Sequence, residues 1–157
     1  MTDLVSIDLV RAASRSDDLP TDWTEADITR AADRYAKFLA LAASDPLRPI
    51  APTRDIDVMW HLHMLSPRAY HADCMRLFGH ILDHDGGFGK DPAELPALLS
   101  VFEDTSNRWK SLFGEDYVAV SSSDASSDAV TKCWHDCQSR CWHACSTKSD
   151  VQIQLGA

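Results

Sequence analysis

Four of the five cysteines in this chain of 157 residues are Cys133, Cys137, Cys141 and Cys145, inside the run C-W-H-D-C-Q-S-R-C-W-H-A-C. The unit Cys133-Trp134-His135-Asp136-Cys137 returns with a period of eight as Cys141-Trp142-His143-Ala144-Cys145. Thiolate and imidazole are the donors that soft ions prefer, so the segment is expected to bind Zn or Cu(I) through the four cysteines with His135 and His143. Geometry limits how. If the run is helical, Cys133 and Cys145 lie about 18 Å apart along the axis, and no single ion can take all four thiolates. Neighbouring pairs could then each hold an ion, whereas an irregular chain could wrap one zinc. Three readings need no metal. The segment is a peptide that another enzyme modifies, Trp134 and Trp142 contact a protein partner, or the thiols pair as disulfides, which the lack of an export signal disfavours.

A second chemical group spans residues 55–85, where five of the seven histidines fall. A helix turns about 100° per residue, so His61 and His63 point to opposite sides and cannot share an ion. Residues four apart share a face. That pairs Asp57 with His61, and His80 with His84 if a helix continues past Gly79. These four could form a tetrahedral N/O zinc site or, as a metal-dependent enzyme, supply acid and base. The leading expectation is plainer: a structural network in which Asp57 accepts an imidazole N–H from His61. Enzyme templates are not matched, and a non-enzymatic role is expected. There is no G-x-S-x-G or H-E-x-x-H motif. In Gly86-Gly-Phe-Gly-Lys90, His84 and Asp91 stand where a phosphate loop needs Gly and Ser or Thr. Cys74 lies on an apolar stripe and reads as a buried small hydrophobe.

The segment resembles the glycine-rich domain-containing protein-like family, in the form of a short bacterial-type member with a Cys-rich tail. The residues carrying the likeness are Asp55-Ile-Asp57, Trp60-His61-Leu62-His63-Met64-Leu65, Pro67, Tyr70, Asp73-Cys74, Leu77-Phe78-Gly79 and His84-Asp85. The likeness extends over about residues 20–115. It implies an all-helical module of poorly understood function. Plant relatives add a glycine-rich region and an RNA-binding motif that this sequence does not show, so no RNA role is implied.

The elements that must position these groups are helical throughout. Residues 24–43 place Ile28, Ala31, Ala32, Tyr35, Phe38, Leu39 and Ala42 at helical spacing. Thr24 is the expected N-cap, and Trp23 and Ile28 take the positions of a hydrophobic staple. Pro46, Pro49 and Pro52 then impose an extended loop. A helix is expected over 55–65, and another from Pro67 carrying Tyr70, Cys74, Leu77, Phe78 and Ile81 on one stripe. Asp91 and Pro92 open a last helical region that stops at Gly114. A short helix over 6–14 completes an all-α array of four or five helices.

Composition divides the chain into a helical domain (1–120), a Ser/Asp linker (121–132) and the Cys/Trp/His tail (133–157). All seven prolines precede residue 121. The net charge is -9, and residues 121–157 carry four acids against three bases, so -8 of it belongs to 1–120. That balance argues against a nucleic-acid partner. No apolar run is long enough to cross a membrane. Asp3 and Asp8 spoil an export signal, so a cytoplasmic location is expected.

Overall fold

The computed structural model describes residues 4–17, 19–85, 88–89 and 91–118. The linker and the cysteine tail lie outside the described residues. Five helices follow one another: α1 (Leu9–Ala13), α2 (Glu25–Ser44), α3 (Arg54–Met64), α4 (Pro67–Phe78) and α5 (Leu95–Phe113). No strand occurs among the described residues. The all-α expectation holds.

Local chemistry explains where the helices start and stop. The Thr24 side chain accepts from the Asp27 backbone N–H, and the Asp27 carboxylate accepts in return from the Thr24 N–H at 2.9 Å. This reciprocal capping box satisfies two backbone donors that a helix end leaves open. Pro67 sits in the first turn of α4, where its missing N–H costs nothing. Gly79 (φ 75°) and Gly114 (φ 71°) end α4 and α5 in the left-handed conformation that suits glycine.

Three boundaries differ from the sequence expectation. The first helix is confined to Leu9–Ala13 because the Asp8 side chain caps it, accepting from Arg11 N–H at 2.9 Å. Residues 91–94 form a turn, and α5 begins only at Leu95. Ile81 falls beyond the end of α4 and is half exposed rather than part of the stripe.

Helix α3 is the centre of the array and packs against α1, α2 and α4, while α5 packs on α2. Its Ile56, Met59 and Trp60 are fully buried with Tyr35, Phe38 and Leu39 of α2. Trp23 and Ile28, the two staple residues, pack against this core. After α5 the chain returns to the body through Tyr117. Its ring is buried, its hydroxyl donates to Ala51 C=O at 2.7 Å, and its own carbonyl accepts from Arg34 at 2.6 Å. Burial pushes the Tyr117 hydroxyl well above its ordinary pKa, so it stays protonated and able to donate.

Candidate metal centre

Two buried acids on adjacent helices each gather histidine. Asp57 on α3 is 1% exposed, a position a carboxylate tolerates only with partners. One oxygen, Oδ1, is 2.7 Å from His84 Nε2; the other, Oδ2, is 3.5 Å from His61 Nδ1. The shorter contact is a hydrogen bond, so the imidazole that Asp57 holds most closely is His84 and not His61. One ligand atom from each of Asp57, His61 and His84 can be chosen so that all lie within 4.8 Å of one another.

Each residue arrives for a local reason. Asp57 and His61 are one helical turn apart on α3, as their spacing requires. His84 comes from the segment that follows Gly79, where the left-handed cap turns the chain out of α4. It reaches α3 because Leu82 is buried, 2% exposed, and pulls the segment onto the body. The His84 ring then meets Trp60 edge-on at 4.6 Å and lies 4.7 Å from the His61 ring. The His84 side chain is 4% exposed and that of His61 41%, so the cluster opens to solvent on the His61 side. Burial lowers the His61 pKa; the Asp57 charge opposes this and His84 adds to it. A neutral imidazole is the form that binds metal.

His80 does not join the cluster. The condition that would have paired it with His84, a helix running through Gly79, is not met. Its Nδ1 lies 3.0 Å from the Phe78 carbonyl, and its ring sits beside that of Phe78.

His63 faces the other way, as helical geometry requires, into a second network that the sequence reading did not identify. Its Nδ1 is 2.9 Å from the Tyr35 hydroxyl, and Nε2 is 3.2 Å from Asp73 Oδ2, close but poorly aligned for a hydrogen bond. Asp73 also accepts from Ser6 N–H at 2.7 Å and from Arg76 at 2.8 Å. Burial would raise the Asp73 pKa, but Arg76, Ser6 and His63 together bring it below its ordinary value. Burial lowers that of His63, outweighing the pull of Asp73. The signal was present in the spacing. Ile56, Met59, Trp60 and His63 form one stripe of α3, and Asp73 lies among Tyr70, Cys74 and Leu77 on α4.

Cys74 is 1% exposed, and burial raises its thiol pKa, so it is the inert small side chain that its position suggested. The proposed tail ligands Cys133, Cys137, Cys141, Cys145, His135 and His143 lie outside the described residues.

Comparison with known proteins places the helical body. Residues 4–73 match the model of the glycine-rich domain-containing protein-like family, a span that starts earlier and stops sooner than the sequence resemblance suggested. Glycine-rich domain-containing protein 1 of Arabidopsis thaliana is 31% identical over 121 residues, covering 67% of this chain and 15% of that protein. Glycine-rich domain-containing protein 2 of the same plant is 33% identical over 94 residues, covering 57% of this chain and 12% of that protein. The chain therefore spans less than a sixth of the length of either relative. No solved structure matches it.

Proposed function

We propose that this chain, whose residues 4–73 belong to the glycine-rich domain-containing protein-like family, binds a divalent ion of the zinc class through Asp57, His61 and His84. The observation carrying the proposal is the convergence of His84, from a separate segment, on two groups already one turn apart on α3. A carboxylate and two imidazoles suit zinc, which then keeps a fourth position for water or another ligand. With bonds of about 2.1 Å, ligand atoms on a tetrahedron stand roughly 3.4 Å apart. One ligand atom from each residue already lies within 4.8 Å of the others, so small side-chain rotations would bring them to that spacing. Metal entry would replace the proton now held between Asp57 and His84. The exposed edge of His61 gives an ion a way in.

A structural network remains the competing reading, and one observation favours it: the hydrogen bond to His84 already satisfies an Asp57 oxygen without any ion. Zinc analysis separates the two. The full chain with Cys133, Cys137, Cys141 and Cys145 changed to Ser should retain about one equivalent of zinc after dialysis. The same chain carrying His84→Gln should lose it. Equal zinc content in the two would refute the site.

The cysteine repeat supports a second, separate proposal. Its thiolates with His135 and His143 would hold Zn or Cu(I), or would be the target of a modifying enzyme. Intact mass of the native protein tests the latter: an unmodified chain removes it. The body site and the metal form of the tail proposal describe a metal-handling protein rather than an enzyme.

A further inference from the structure

Tyr70 fixes the segment that delivers one of the three candidate ligands. Its ring is buried on α4, its hydroxyl accepts from Trp60 Nε1–H at 2.8 Å, and the same hydroxyl donates to the Leu82 carbonyl. Leu82 is two residues before His84. Trp60 is itself the ring against which His84 packs. One phenol oxygen therefore ties together the two features that locate His84: the wall behind it and the chain leading to it.

Resting on the metal reading above, we infer that Tyr70 is a positioning residue of the metal centre, holding His84 at Asp57 and His61 through Leu82 and Trp60. Supporting residues of this kind fix ligand geometry before the ion arrives, and their loss typically weakens binding 10- to 100-fold. The inference does not follow from burial alone. Tyr117 makes an equivalent buried hydroxyl contact, to Ala51 C=O at 2.7 Å, but belongs to the segment after α5 and not to the one carrying His84.

The experiment compares Tyr70→Phe with Tyr117→Phe in the full chain with its four tail cysteines changed to Ser, using zinc alone against a competing chelator. Each variant keeps its ring and loses one hydroxyl. Tyr70→Phe should raise the zinc Kd 10- to 100-fold, and Tyr117→Phe should leave it within about threefold. Hydrogen exchange gives a readout without metal: residues 80–85 should exchange faster in Tyr70→Phe and at the parental rate in Tyr117→Phe. An unchanged Kd in Tyr70→Phe, or equal weakening in both variants, overturns the inference while leaving the metal site standing. If the parent binds no zinc, the metal reading fails and the assignment falls with it, whereas hydrogen exchange still reports whether Tyr70 holds the segment.

Discussion

His84 Nε2 lies 2.7 Å from Asp57 Oδ1, although 27 residues separate them. The contact joins the middle of α3 to a non-helical segment, and it gives a deeply buried carboxylate the partner its burial demands. It also sets the distance between two of the candidate ligand atoms.

Removing the carboxylate tests its structural weight. Asp57→Ala leaves the His84 imidazole, itself almost wholly buried, without this acceptor. A cost of about 1–3 kcal/mol is expected for an abandoned buried polar group. Denaturant unfolding in EDTA measures it, since the chelator removes any contribution from metal. A change below about 0.5 kcal/mol would mean that other partners take over.

The turn out of α4 predicts an order among substitutions at Gly79. A Cβ there meets nothing within 4 Å, so sterics with neighbours are absent and only φ, at 75°, opposes a side chain. Gly79→Ala should cost about 1–2 kcal/mol, and Gly79→Asn less, because Asn tolerates the left-handed region. Urea midpoints should rank Gly above Asn above Ala. Equal midpoints for Asn and Ala would show that backbone strain is not the cause.

Acid should weaken the fold in two separate windows. His63 has its pKa lowered below 6.5 by burial, so the unfolded chain takes up a proton that the folded chain refuses. Its contribution is complete above about pH 6.5 and declines as pH falls toward the folded value. His61, lowered for the same reason, adds to that decline. Asp73, held below 3.8, contributes above that value and loses its contribution only at lower pH, through its folded pKa. Stability in EDTA should therefore drop between pH 7.5 and 5, and His63→Gln should flatten part of the drop. Parallel pH profiles for parent and variant would contradict this.

Much of the framework was legible because the helices obey local rules. Thr24, Pro67 and Gly114 mark ends by chemistry confined to a turn, and the periodic apolar residues of α2 and α3 fix what is buried. The pairing of Asp57 with His61 was readable for the same reason, since one turn of helix sets it. His84 was legible as a candidate ligand grouped with Asp57, but not as its direct hydrogen-bond partner. Its position depends on a chain reversal at Gly79 and on the burial of Leu82, both tertiary events. The pairing of His63 with Asp73 lies between these cases. The spacing places each on a buried stripe, but that the stripes face each other is settled by the packing of α3 on α4.

Melting with and without zinc tests the central claim most directly. The protein is the full chain with Cys133, Cys137, Cys141 and Cys145 changed to Ser, compared in EDTA and in zinc at a hundredfold excess over Kd. A bound ion adds about 2.7 kcal/mol under those conditions, which for a body of this size raises Tm by roughly 10 °C. The same chain carrying His84→Gln should show almost no zinc-dependent shift. A parental melting curve indifferent to zinc and EDTA would contradict the account and leave Asp57, His61 and His84 as a structural network.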